Sequence, residues 1–260
     1  MKTLFVDSYY VALRELKKYF RQKTRMIMTL VQPFIWLVLM GNMMSGLTNN
    51  PFAAQMLGTG NYLSFMTPGI ILMTILFSSI FSGTSIVWDR RIGYLDKLLA
   101  APIKRGAIPF GKTIAAMVQG GIQSIIIIVI AILMGVRFAT GLPGILVILI
   151  IAMLFSLILA GISLALASKV KTIETLMAII NFFAMPLMFT SNALFPLKVM
   201  PKWLEAIAKV NPITYAVDPM RTLTVTGWSR TILPGIGITL IIDVIVLVWT
   251  AFVFKNAVSE

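Results

Sequence analysis

The chain has 260 residues, 58% of them hydrophobic and 12% charged, against about 25% charged in an average soluble domain, and its mean hydropathy is +0.94. Too little polar surface is available to keep such a chain in water, so an integral membrane protein is expected. Cysteine and histidine are absent, which excludes disulfides, thiol and imidazole chemistry and most transition-metal sites; the net charge of +13 reads as topogenic charge on the cytoplasmic side, with no nucleic-acid partner.

Residues 1–25 come first. Tyr9, Leu13, Leu16 and Phe20 recur at helical spacing, and Arg14, Lys18, Arg21 and Arg25 recur at the same spacing about 140° further round. One oily face and one cationic face predict a helix lying in the interface of the cytoplasmic leaflet, with the chain turning inward at Gln32-Pro33. Six apolar runs then approach the roughly 20 residues that a crossing needs: 26–44, 64–87, 108–134, 143–167, 173–190 and 232–254. The fold class expected is therefore all-α integral membrane. Sixteen lysines and arginines fall on the side of residues 1–25 and six on the other, which places both termini in the cytoplasm.

The second span carries Ser78-x-x-x-Ser82 and Ser79-x-x-x-Gly83, small residues spaced to let helices approach closely. It also carries Phe65, Phe77 and Phe81. Between the second and third spans, Asp89 can cap a short helix over 89–101, which Pro102 stops. Its apolar stripe of Ile92, Leu95 and Leu99, with Leu98 beside it, is too short to anchor in lipid and calls for a protein groove.

The same loop holds Gly106-x-x-x-x-Gly111-Lys112-Thr113, which satisfies the phosphate-binding loop pattern of ATPases. That chemistry needs a buried strand before the loop and a soluble domain of well over a hundred residues around it. Here Pro102-Ile103-Lys104-Arg105 precedes Gly106, Thr113 begins a span, and the longest stretch outside the spans is about 40 residues. The nucleotide reading fails on context.

Further along, Gln119 and Gln123 share a face of the third span. The fifth offers Asn181, Phe182, Phe183, Met185, Met188 and Phe189, a deformable apolar wall suited to hydrophobic cargo. Residues 191–231 read as two short helices broken at Asn211-Pro212 and dipping back into the membrane from outside. Asp243 is the one acid deep in a span and so a functional candidate, but a structural role, neutral or hydrogen-bonded to a neighbouring helix, is expected.

Two stretches carry a family resemblance. Asp89-Arg90-x-x-Gly93-x-Leu95-x-x-Leu98-Leu99-x-x-Pro102-Ile103-x-Arg105 resembles the cytoplasmic loop of ABC transporter type-2 permeases, which commonly have Glu at the position of Asp89. Residues 192–223, containing Asn211-Pro212-x-Thr214-Tyr215, are similar to the daunorubicin-resistance-type branch that exports drugs and lipids. The resemblance implies a permease in a prokaryotic plasma membrane that binds no nucleotide itself. Two copies would pair with two ABC ATPase subunits, which hold ATP and magnesium, and the loop helix would dock on each ATPase as a coupling helix. Asp89, Arg90, Gly93, Leu95, Leu98, Leu99 and Pro102 would lie at that interface. The second and fifth spans would face the partner copy across the path, through Phe65, Phe77, Phe81, Asn181, Phe182, Met185 and Phe189. Export of a lipid-linked glycan is the alternative on the same scaffold. An ion-coupled transporter would want inverted repeats and more buried ionisable groups than this sequence has.

Overall fold

A computed structural model describes residues 2–45 and 61–259; most of the loop joining the first two expected spans lies outside them. The elements are α1 (Lys2–Arg21), α2 (Lys23–Ser45), α3 (Tyr62–Arg91), α4 (Tyr94–Ala100), α5 (Ala107–Leu133), α6 (Gly141–Lys169), α7 (Ile173–Phe189), α8 (Lys202–Val210), α9 (Pro212–Val225) and α10 (Ile232–Ser259), with a 3-10 turn at Leu197–Val199. Among the described residues, five helices are long and apolar enough to cross a membrane: α2, α3, α5, α6 and α10. The fifth expected span is α7, whose 17 residues extend about 25 Å.

α6 carries no charge before its terminal Lys169 and packs against α3, α5, α9 and α10, as befits a helix that is apolar all round. Small residues let the backbones meet. A Cβ on Gly83 of α3 would stand 2.3 Å from Ser163 Oγ, and one on Gly120 of α5 would stand 2.6 Å from Ser156 Oγ. Ser156 Oγ donates to the Ala116 carbonyl at 2.9 Å and lies 3.1 Å from Ser79 Oγ. The Ser79/Gly83 stripe is thus a packing seam, the usual device where lipid leaves no hydrophobic drive between helices.

Two boundaries differ from expectation. The first helix breaks at Gln22, and Pro33 lies inside α2; a proline in a membrane helix removes one N–H but need not end the helix. α1 has three faces. Phe5, Tyr9 and Phe20 are exposed, Arg14, Lys18 and Arg21 form the cationic edge, and Ser8, Val11, Ala12, Glu15 and Tyr19 are buried. The buried face packs on α5 at Gly111, where a Cβ would lie 2.6 Å from the Ser8 carbonyl oxygen.

Asp89, in turn, does not cap the loop helix. α3 runs on through Arg91, and the break falls at Gly93, whose φ of 66° lies in the left-handed region. The Gly93 N–H donates to the Arg90 carbonyl at 3.0 Å, the arrangement glycine favours just past a helix end. α4 then spans Tyr94–Ala100 and not the expected 89–101.

The 191–231 segment does form two short helices meeting at Asn211-Pro212. Asn211 caps α9 by accepting from the Ile213 N–H at 2.9 Å and ties it to α7 by donating to the Leu187 carbonyl at 2.6 Å. Arg221 donates to the carbonyls of Asn192, Ala193 and Phe65 at 2.8, 3.1 and 3.2 Å. Gly69 admits this segment, since a Cβ there would lie 2.1 Å from the Ala193 carbonyl oxygen.

Candidate functional site

The loop between α3 and α5 is built around a buried ion centre. Asp89 on the last turn of α3 is 0% exposed, Lys112 on the first turns of α5 is 2% exposed and Glu15 of α1 is 8% exposed. Lys112 Nζ donates to Asp89 Oδ2 at 2.6 Å, Ser85 Oγ at 2.8 Å and Glu15 Oε1 at 2.9 Å, which engages all three ammonium protons. Arg14 reaches Glu15 at 2.9 Å and Asp89 at 3.3 Å, and Lys18 Nζ lies 3.8 Å from Asp89. Three cations thus meet two carboxylates, and α1, α3 and α5 are locked at one point.

This geometry accounts for the phosphate-loop look-alike. Gly111 gives α1 its close approach, Lys112 is spent on carboxylates, and Thr113 Oγ1 donates to the Phe110 carbonyl at 2.8 Å. Among the described residues that lysine is buried against its carboxylate partners inside the start of a helix.

The ion centre also holds α4. Arg14 lies 3.7 Å above the Tyr94 ring, a cation–π contact, and the Lys104 N–H donates to Asp7 Oδ2 at 3.3 Å beyond the far end of α4. Arg90 donates to the Ser168 and Val170 carbonyls at 2.9 and 3.1 Å, satisfying the open C-terminal end of α6. α4 thus hangs from an end of α3 that is tied to α1, α5 and α6, with Tyr94 held directly by Arg14.

The solvent-facing side of α4 differs from the expected leucine stripe. Leu95 is 3% exposed within the chain's own core, and Leu98 and Leu99 pack half-buried against that core. The apolar stripe turned inward because α1 and the bundle already cover it. Facing outward are Arg91, Ile92, Asp96, Lys97, Ala100 and Pro102, with Ile92 55% exposed. Asp89 and Arg90 act behind this face as its anchors, and Gly93 sets its angle.

The other expected residues fall in separate places. Phe65 is buried beneath Arg221, whose guanidinium lies 3.8 Å from the ring centre. Phe77 is packed half-buried on the core and Phe81 borders a cleft beside α1. Asn181, Phe182, Met185 and Phe189 do share one side of α7 and are exposed there, while Leu176, Ile180, Ala184 and Met188 face the bundle. Gln123 donates to Tyr19 Oη at 3.3 Å and Thr29 Oγ1 at 3.4 Å, tying α5 to α1 and α2; Gln119 is half-buried in the cleft wall. Asp243 is buried with neither carboxylate oxygen hydrogen-bonded among the described residues, so the expected bond to a neighbouring helix is not made.

Lys112, Glu15 and Arg14 were not among the residues singled out for function. Their signal was available: a lysine at the start of an apolar run needs an acidic partner, and Glu15 stands beside the cationic edge of the interfacial helix.

A multi-pass helical bundle with no metal-holding cluster among the described residues, and with a braced short helix between two spans, is the build of a membrane transport subunit. The chain belongs to the ABC-2 type transporter family, whose sequence model matches residues 8–224, and it is accordingly a permease, not an enzyme. It is 33% identical over 207 residues to ycf38 of Cyanophora paradoxa, provisionally named a transport permease, covering 78% of this chain and 69% of that one. With ycf38 of Porphyra purpurea the figures are 32% over 213 residues, 81% and 72%. With the daunorubicin resistance ABC transporter permease protein DrrB1 of Streptomyces coeruleorubidus they are 24% over 165 residues, 64% and 58%.

Proposed function

We propose that the chain is the membrane-spanning half of an ATP-driven exporter of hydrophobic drugs or lipids. ATP and magnesium sit on separate ABC ATPase subunits, and α4 with Ile92 is the peg that enters each ATPase from the cytoplasmic side. Both termini are cytoplasmic, and α7 is the fifth of six crossings. The observation that carries the reading is the brace at the root of α4: a helix of 7 residues hangs from the end of α3, which a buried charge cluster joins to α1 and α5 and an arginine cap joins to α6, an arrangement that suits force transmission better than loop closure.

A second copy of the chain covers the exposed stripe of α7. Asn181 lies on that stripe amid Phe182, Met185 and Phe189, and an amide facing hydrocarbon without a partner is costly. The aromatic and methionine side chains of the same stripe, with Phe77 and Phe81, form the path walls.

The chain lacks cysteine, so single-cysteine variants at Ile92 and Lys97 report on docking directly. Both are expected to cross-link to a co-expressed ABC ATPase, with a cysteine at Phe182 cross-linking to a second permease. Free alkylation of the first two by a bulky reagent in the assembled complex would refute the docking assignment.

A further inference from the structure

Beside the ion centre lies a cleft of about 190 Å³, several times the roughly 30 Å³ share of a water molecule. Its walls come from four helices: Lys18 and Glu15 of α1, Ser82 and Ser85 of α3, Lys112 and Gln119 of α5, and Ile173 at the start of α7. It lies between α1 and the cytoplasmic-loop ends of α3 and α5, next to Lys112 of the ion centre.

The charge balance decides what the cleft takes. Both carboxylates are already neutralised, Glu15 by Arg14 and Lys112, and Asp89 by Arg14, Lys112 and Lys18. One positive charge remains over, and the weakest bond in the cluster is that of Lys18 at 3.8 Å. Its side chain is 30% exposed, and the ammonium keeps donors for another group. The Gln119 amide across the cleft makes no hydrogen bond among the described residues and offers two more donors. Lys17 and Arg21 stand on the adjoining surface, adding the field that draws anionic lipid to a basic interfacial helix.

We propose that this cleft holds the phosphate headgroup of an anionic phospholipid of the cytoplasmic leaflet, with Lys18 and Gln119 as its direct donors. The proposal rests on the cytoplasmic placement of α1, which labelling of a terminal tag in sealed vesicles reads independently. A lipid seated here borders Lys112, so its presence is felt at the cluster that braces α4.

The test uses the detergent-purified full chain, titrated with dioctanoyl phosphatidylglycerol, dioctanoyl phosphatidylcholine and inorganic phosphate, binding being followed by thermophoresis. Phosphatidylglycerol is expected to bind at least tenfold more tightly than phosphatidylcholine. Lys18→Gln and Gln119→Leu are each expected to weaken it at least fivefold, and Lys17→Gln less than twofold. Gln119→Leu leaves the ion centre intact, so the result survives a folding defect in Lys18→Gln. Equal affinity for the two lipids, or an equal loss in Lys17→Gln and Lys18→Gln, would overturn the site in favour of general surface attraction. Inorganic phosphate binding as tightly as the lipid would overturn the lipid assignment and make the cleft a free-anion site.

Discussion

Replacing Lys112 by methionine tests the ion centre and the phosphate-loop look-alike at once. The change keeps the length of the side chain but removes three hydrogen bonds of 2.6, 2.8 and 2.9 Å. Deleting one partner of a buried pair costs about 3–5 kcal/mol. Arg14 still serves Glu15 and Asp89, and Lys18 still lies near Asp89, so the lower end, about 3 kcal/mol, is expected, roughly a hundredfold in the folding equilibrium. Equilibrium unfolding in mixed micelles, followed by tryptophan fluorescence, reads this directly. ATP binding by the assembled complex is expected to stay unchanged in every variant that folds. A Lys112→Met protein within about 1 kcal/mol of the parent, or a stable one whose complex no longer binds ATP, would refute the reasoning.

On the docking face, Ile92→Asp or Lys97→Glu should reduce co-purification with the ATPase while leaving thermal stability unchanged, whereas Leu95→Asp should lower stability itself, because it buries a charge. Gly83→Val should destabilise the bundle by about 1–3 kcal/mol through overpacking against Ser163, measured by the same unfolding assay. Arg221→Met strips donors from three carbonyls, and residues 192–211 should become more open to external protease. Asp243→Leu should hold or raise the melting temperature by removing an unpaired buried acid; a fall would show that another subunit supplies its partner.

The apolar runs were legible because crossing length and hydropathy are properties of a segment alone, and each expected span matches a helix. The interior break at Asn211-Pro212 was equally plain, since an Asn cap followed by proline at the first helical position is a local signal. Boundaries set by backbone geometry were not. Gly93 sets the start of the loop helix that Asp89 was expected to set, although that helix does end just before Pro102, and Pro33 supplies no turn. Burial of Leu95 was hidden too: periodicity marks an apolar face but cannot say whether that face meets the chain itself or a partner. The ion centre was least visible, because Glu15, Asp89 and Lys112 are distant in sequence and only the third face of α1 brings them together.

Ile92 and Gly93 are all that separate α3 from α4, and this leaves the peg without slack. A residue inserted after Gly93 would contribute up to about 3.5 Å of play, comparable to the contacts that hold the brace together. A lever with that much lost motion would still dock, and its ATPase would still turn over, but the stroke would be absorbed before reaching the membrane. Futile hydrolysis without transport is the phenotype that a joint this short guards against.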